Sequence, residues 1–152
     1  MALLVQKYGG TSVANLERIQ RVADRVAESR RQGHRLVVVV SAMSGVTDGL
    51  LRMAREIDRE PREREMDLLL ATGEQTTTAL LAMALHARGV DAVALTGAQA
   101  GIVTDGTHTK ARIANVTPSA VRSHLKAGRV VIVAGFQGQT VEGQITTLGR
   151  GG

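Results

Sequence analysis

Two short runs of apolar residues, at 36–40 and 130–134, constrain the fold of this chain more than any other feature. Both runs, LVVVV and VVIVA, are apolar at every position and rich in β-branched side chains. Strands of this kind are typical of the centre of a parallel sheet whose two faces are both covered. Elsewhere, apolar residues recur with helical spacing over residues 16–27, 47–57 and 65–88. The first of these helices is expected to start after Asn15, a favourable N-cap residue, and to end at Gly33. This alternation predicts a layered α/β fold with a mostly parallel sheet.

Length and composition are those of a single globular domain and exclude several kinds of site. The 152 residues fit one domain, and the absence of cysteine rules out disulfides, thiol catalysis and cysteine-ligated metals. The four histidines lack the spacing of a metal site, so no protein-bound metal is predicted. No purely apolar run approaches the ~18 residues of a membrane span, and the N-terminus does not resemble a signal peptide. We therefore expect a cytoplasmic protein that does not associate with membranes.

The net charge of +5 would suit a nucleic-acid partner, but the aromatic content argues against one. Tyr8 and Phe136 are the only aromatic residues, so no platform for base stacking exists. The basic residues also alternate with acidic ones along the predicted helices. Solvated helix faces explain the charge better than a nucleic-acid surface does.

Three segments of small and polar residues follow predicted strands. They cover residues 7–12 (KYGGTS), 41–47 (SAMSGVT) and 135–138 (GFQG). The carboxyl ends of parallel strands meet at one edge of the sheet, where folds of this class bind ligands. We therefore expect these three segments to lie together.

The first of these segments has the composition of an anion site. Gly9 and Gly10 would let backbone N–H groups approach a phosphate, and Lys7 could bridge phosphate oxygens. The order of residues differs from a P-loop, because the lysine precedes the glycines. A tight turn beside an exposed lysine explains the same residues equally well.

Further along the chain, isolated polar residues lie in surroundings that do not explain them. Glu74 lies in an otherwise apolar helix, where a carboxylate is costly unless it is paired or faces a ligand. Gly73, which is unfavourable inside a helix, suggests close approach of a backbone or ligand. Arg150 lies among glycines and could bind a carboxylate through its guanidinium fork. The simpler alternatives are that Glu74 points outward and that Arg150 belongs to a charged tail. For Thr47, the last residue of the second small-residue segment, the simpler alternative is that it only caps the following helix.

Six segments, in order along the whole chain, resemble the bacterial aspartokinase family. They are VQKYGGTSV (5–13), VSAMSGVTD (40–48), ATGEQ (71–75), QAGIVTD (99–105), VAGFQG (133–138) and TTLGRGG (146–152). The resemblance implies the amino-acid kinase fold, an α/β/α sandwich. It also implies ATP-dependent phosphorylation of the side-chain carboxylate of L-aspartate, with Mg²⁺ accompanying ATP as co-substrate. The product, 4-phospho-L-aspartate, opens the route to lysine, threonine, methionine and diaminopimelate.

The resemblance also implies roles for individual residues. Lys7 would be catalytic and contact the transferring phosphate. The other ATP- or phosphate-binding residues would be Tyr8, Gly9, Gly10 and Ser41. The substrate-binding residues would be Thr47, Glu74, Phe136, Arg150 and Gly151. Within that group, Glu74 would bind the substrate ammonium, Arg150 a substrate carboxylate, and Phe136 would form part of the pocket wall.

In the family, the GRGG motif continues into Ser-Asp and then into a nucleotide lobe and ACT regulatory domains. The resemblance therefore implies that residues 1–152 are the N-terminal, substrate-binding half of an aspartokinase catalytic domain. We expect the chain to be inactive alone, to fold poorly with residues 130–134 as its weak point, and to form a homo-oligomer when full length. Two alternatives are another carboxylate kinase of the same fold and a non-catalytic binding or assembly fragment. Glu74 and Arg150, one for each end of an amino acid, argue against the first.

Overall fold

The computed structural model describes residues 1–149, which form eight strands and four helices. In chain order these are β1 (Leu3–Tyr8), α1 (Leu16–Arg31), β2 (Arg35–Val40), α2 (Val46–Ile57), α3 (Glu63–His86), β3 (Ala92–Leu95), β4 (Ile102–Thr104), β5 (Ile113–Val116), α4 (Ser119–Lys126), β6 (Val130–Ala134), β7 (Gln137–Gln139) and β8 (Ile145–Thr147).

The main sheet contains four parallel strands in the order β1-β2-β6-β3. The two apolar runs form its central strands β2 and β6, and β6 is buried at every position. This confirms the predicted parallel sheet. Residues 130–134 do not lack a strand partner, because β6 pairs with β2 on one side and β3 on the other. Poor folding of the chain alone stays a prediction. The edges of the sheet are β1 and β3.

Helices lie on both faces of this sheet, which gives the α/β/α layering. On one face, α1 and α3 bury apolar side chains such as Val26 and Leu81 against the strands. On the other face, Leu125 of α4 packs against Val131 and Val133. The cover is incomplete at the edge strand β1, where Leu3 and Val5 are 48% and 68% exposed.

The ends of α1 follow its sequence signals. Asn15 accepts a hydrogen bond at 3.0 Å from the backbone N–H of Arg18, and Gly33 follows the helix with a left-handed φ of 91°. Helix α3 is long and apolar enough to cross a membrane by length and composition alone. However, 56% of its apolar stretch is buried within the fold, as in the core helix of a globular domain.

The sequence of residues 141–147 is typical of a hairpin arm, and residues 145–147 form β8. The remainder of a second sheet, in the order β5-β4-β7-β8, was not predicted. It is mixed: β4 pairs antiparallel with β5 and parallel with β7, and β7 forms an antiparallel hairpin with β8. Three of its strands have only three residues each, which is too short for an alternating pattern to be recognised. The segment 135–138, interpreted as a loop, therefore contains the start of β7.

Gly101 joins the two sheets at a position that no other residue can occupy without strain. Its φ is 88°, and a Cβ atom there would lie about 1.8 Å from the carbonyl oxygen of Thr117. The Gly101 carbonyl in turn accepts a hydrogen bond from the N–H of Thr117 at 2.8 Å.

We predict that Gly101→Ala lowers the free energy of unfolding by about 2–4 kcal/mol, because the left-handed backbone and the steric clash both oppose a side chain. Urea denaturation of the two proteins measures this difference. Gly106→Ala is the matched control, since a Cβ at Gly106 meets no atom within 4 Å. Equal stabilities for the two variants would contradict the prediction.

Candidate functional site

A cleft of about 380 Å³ lies at the carboxyl ends of β1, β2 and β6. All three small-residue segments reach it, as expected for neighbouring parallel strands. The sequence-predicted residues that line it are Lys7, Gly10, Ser41, Thr47, Glu74 and Phe136. The cleft therefore gathers residues that are far apart in the sequence into one site.

Lys7 and Tyr8 end strand β1 on opposite faces, as alternation along a strand requires. The side chain of Lys7 is exposed and lines the cleft. The side chain of Tyr8 is half-buried away from the cleft, and its hydroxyl donates to Gln6 Oε1 at 3.1 Å. The following turn is closed by a hydrogen bond from the N–H of Ser12 to the carbonyl of Gly9 at 3.0 Å. Gly10 lines the cleft, whereas Tyr8 and Gly9 do not.

The second segment connects β2 to α2 and contributes Ser41 and Thr47. The N–H of Ser41 donates to the carbonyl of Tyr8 at 3.1 Å, which ties the ends of β1 and β2 together. Helix α2 begins after Gly45, whose left-handed φ of 79° turns the chain. Thr47 lies inside the first turn and does not cap the helix, so its side chain is free to face the cleft. Asp48, which the sequence did not single out, lines the cleft beside it.

Glu74 is a buried carboxylate that lines the cleft. It is 4% exposed, and its Oε2 atom has no hydrogen-bond partner among residues 1–149. Burial raises its pKa from 4.5 to about 7, although the backbone N–H groups of Glu74 and Ala42 oppose the shift. The alternative that Glu74 points outward is therefore wrong. A buried, unsatisfied carboxylate is the kind of group that a cationic ligand would stabilise.

Gly73 explains how α3 comes close enough to place Glu74 there. A Cβ at Gly73 would lie about 3.0 Å from the Cβ of Ala42, so the glycine lets the helix pack against the 41–45 loop. The close approach inferred from the sequence is confirmed, and the nearest atoms belong to the side chains of Ala42, Val46 and Leu50 and not to a backbone.

Phe136 forms part of the cleft wall in an unusual backbone conformation. Its φ of 67° lies in the left-handed region, which costs a residue with a side chain roughly 1–2 kcal/mol. Its carbonyl accepts a hydrogen bond from the N–H of Leu148 at 2.9 Å, so the strained residue is held by the start of the segment after β8. Arg150 and Gly151, which follow that segment, lie outside the described residues.

A buried polar cluster surrounds Asp67, which lies on α3 seven residues before Glu74, and no sequence signal indicated it. Asp67 is fully buried on α3 and accepts hydrogen bonds from Thr147 Oγ1 at 2.6 Å and from the N–H of Thr109 at 3.1 Å. Its Oδ2 lies 2.8 Å from Nδ1 of His108, whose Nε2 lies 3.1 Å from Gln144 Oε1. The cluster joins α3 to the β7–β8 hairpin and to the segment before β5.

The hydrogen bond to Asp67 raises the pKa of His108 above its ordinary 6.5, with a smaller contribution from Gln144, while burial and Arg64 oppose the shift. Because the folded pKa lies above the unfolded pKa, the protonated histidine stabilises the fold fully below about pH 6.5. This contribution is lost as the pH rises through the folded pKa.

We therefore predict that the unfolding free energy of the chain falls more steeply above pH 6.5 than that of His108→Gln. Urea titrations of both proteins at pH 6 and pH 8.5 test this. His124→Gln is the control, and a stability difference between parent and His108→Gln that is independent of pH would contradict the prediction.

Comparison with known proteins places the chain in a family. The model of the amino acid kinase family matches residues 2–152. An aspartate kinase of Pseudomonas fluorescens is 58% identical over 154 residues, and an aspartokinase of Geobacillus stearothermophilus is 57% identical over 152 residues. Each alignment includes 100% of this chain but 37% of the relative, so the chain spans little more than a third of the length of these curated relatives.

Solved structures agree with this assignment. The crystal structure of aspartate kinase from Synechocystis matches with a TM-score of 0.80 and 51% identity, covering 99% of this chain and 24% of that one. E. coli aspartokinase III, in complex with aspartate and ADP, matches with a TM-score of 0.84 and 26% identity, covering 99% and 44%. The shared fold and the family match over nearly every residue lead to one conclusion: the chain belongs to the amino acid kinase family.

Proposed function

We propose that the chain forms the aspartate-binding part of an aspartate kinase. The reaction transfers the γ-phosphoryl group of ATP to the side-chain carboxylate of L-aspartate and gives 4-phospho-L-aspartate, the first step towards lysine, threonine, methionine and diaminopimelate. The observation that carries the proposal is the buried carboxylate of Glu74, whose Oε2 has no hydrogen-bond partner within residues 1–149 and which lies in the same cleft as the ammonium of Lys7. The aspartate kinases to which the chain is similar support it.

Glu74 would bind the substrate ammonium. An ammonium that enters the cleft supplies the missing partner of Oε2 and favours the ionised carboxylate, which burial otherwise disfavours. Thr47 and Phe136 would form the walls of the same pocket. Arg150, outside the described residues, would bind a carboxylate of the substrate.

Lys7 would act on the phosphate side of the cleft. None of the ion pairs found within residues 1–149 involves Lys7, so its charge is available to a ligand. Phosphoryl transfer depends mainly on positioning and charge stabilisation, which a compact ammonium can supply at the transferring group. The backbone of Gly9 and Gly10 and the hydroxyl of Ser41 would contact phosphate oxygens. Tyr8 would contribute to this side through its backbone, since its side chain faces away.

The co-substrate would be ATP with Mg²⁺. The described residues contain no group of three or more His, Cys, Asp or Glu side chains able to hold a metal ion. Mg²⁺ would accompany the phosphates of ATP, as it commonly does in kinases. We further propose that the full-length enzyme is a cytoplasmic homo-oligomer, in which residues 1–152 are the N-terminal, substrate-binding half of the catalytic domain.

An assay of ADP release tests the proposal on the full-length protein. We expect turnover with L-aspartate that exceeds turnover with L-glutamate and with a blank lacking amino acid. Preferred turnover of another amino acid would replace aspartate kinase with a different carboxylate kinase, and no turnover with any would favour a non-catalytic module. Residues 1–152 assayed alone are expected to release no ADP above the blank, because half a site cannot hold both substrates in position for the transfer.

A further inference from the structure

We propose that Asp67 is a positioning residue for the cleft: its carboxylate anchors strand β8, and β8 in turn holds Phe136 at the cleft wall. The inference rests on the proposed function, because it concerns the placement of the same site. Asp67 itself does not line the cleft.

The first link joins Asp67 to Thr147. Asp67 Oδ1 accepts from the hydroxyl of Thr147 at 2.6 Å, and both residues are almost completely buried. A buried carboxylate is costly unless hydrogen-bond donors surround it. Breaking the hydrogen bonds to Asp67 is therefore unfavourable, and its donors are kept in place. The N–H of Thr109 supplies a second donor and His108 a third contact, at 3.1 Å and 2.8 Å.

The second link joins β8 to Phe136. Leu148, the residue after Thr147, donates its N–H to the carbonyl of Phe136 at 2.9 Å. On the other side of Phe136, Gln137 pairs with Thr147 across the hairpin, and its Nε2 donates to the carbonyl of Ala71 at 2.8 Å. The backbone of Phe136 is therefore tied to α3 by two independent routes.

The conformation of Phe136 shows why such ties are needed. A non-glycine residue rarely adopts a φ of 67°, and surrounding structure must impose it. Helix α3 supplies that support and also carries Glu74 into the cleft. One helix therefore carries the carboxylate of the cleft and, through its contacts with Thr147 and Gln137, supports part of the cleft wall.

Thr147→Val in the full-length enzyme tests the chain of contacts from Asp67 through Thr147 to Phe136, because it removes the hydroxyl and preserves the shape of the side chain. Thr146→Val is a matched control: Thr146 is the preceding residue of β8, is equally buried, and its hydroxyl bonds to Thr104 Oγ1 at 2.6 Å and not to α3. Thr147→Ser restores the hydroxyl. Asp67→Asn is a second probe of the same link, and the threonine series keeps the test valid if that variant does not fold.

We expect Thr147→Val to raise the KM for aspartate by about five- to tenfold, with a smaller change in the KM for ATP. Thr147→Ser should restore the parent value, and Thr146→Val should lower the melting temperature comparably while leaving the KM for aspartate unchanged. An equal rise in KM for Thr146→Val and Thr147→Val would reduce Asp67 to a general structural role. An unchanged KM in Thr147→Val would overturn the proposal.

Amide hydrogen exchange separates this proposal from the proposed function, because it needs no substrate. In Thr147→Val the N–H of Leu148 should exchange about tenfold faster than in the parent, as its hydrogen bond to Phe136 opens more often. In Thr146→Val its exchange should match the parent. Unchanged exchange in Thr147→Val would overturn the positioning role of Asp67. Absence of aspartate turnover in the parent enzyme would overturn only the proposed aspartate kinase function.

Discussion

In the full-length enzyme, Lys7→Ala is expected to lower kcat by about 10²-fold or more while changing the KM for aspartate much less. Lys7 stands at the end of β1 in the cleft, before the turn at Gly9 and Gly10. Its ammonium would follow the phosphoryl group from ATP to the aspartate carboxylate, so its charge matters most in the transition state. Lys7→Arg should rescue little, because a planar guanidinium is larger and directs its charge differently.

Steady-state kinetics with both substrates measures this effect, and melting temperatures establish that the variants are folded. Lys126→Ala is the matched control, since Lys126 is an exposed lysine in the last turn of α4, outside the cleft. A near-parental kcat in Lys7→Ala would remove Lys7 from the mechanism and return it to the alternative of an exposed lysine beside a turn.

Substitution of Glu74 should produce the opposite kinetic signature. We expect Glu74→Ala and Glu74→Gln to raise the KM for aspartate by about 10–100-fold, the range of a lost hydrogen bond to a charged group. The kcat should fall less, because the proposed contact with the substrate ammonium would be similar in the ground state and the transition state. Glu65→Gln, an exposed carboxylate on the same helix, should leave both parameters unchanged. An unaltered KM in Glu74→Gln would exclude the ammonium role.

The same substitution has a stability effect that needs no substrate. The pKa of Glu74 is about 7 in the folded state, against an ordinary value of 4.5. Between pH 4.5 and 7 the folded state therefore binds more protons than the unfolded state. Stability therefore falls as the pH rises from about 4.5 to 7, and above pH 7 the buried charge costs up to about 3 kcal/mol. Glu74→Gln should be more stable than the parent at pH 8, and the gain should vanish at pH 4.5. Urea denaturation at the two pH values measures it, and a gain independent of pH would contradict the assignment.

The parts of the fold that the sequence predicted are those in which one physical requirement dominates. Strands β2 and β6 are apolar on both faces, and only the centre of a covered sheet satisfies that pattern. Asn15 and Gly33 gave the ends of α1 for the same reason, since helix termini require specific partners and backbone angles. The convergence of three loops on one cleft then followed from the parallel arrangement.

The parts that the sequence did not predict depend on contacts between distant residues. The second sheet is built from very short strands, and β7 has the sequence QGQ, which has no apolar periodicity. Asp67 occurs near the start of a helix, where acidic residues are common. No neighbouring residue in the sequence indicates that it is buried and accepts a hydrogen bond from Thr147. Glu74 was detectable because its neighbours are apolar, but the lack of a partner at Oε2 emerges only from the packed structure.

Helix α3 carries Asp67 and Glu74 seven residues apart, which corresponds to about 10 Å along its axis and nearly two full turns. Because a helix is stiff, this spacing fixes the distance between the carboxylate that contacts the hairpin and the carboxylate that lines the cleft. Insertion or deletion of one residue between the two carboxylates would rotate one of them by about 100° relative to the other. Natural variation in chain length should therefore be excluded from residues 67–74, whereas the turn at 141–144, at the tip of the hairpin, can change length without disturbing that spacing.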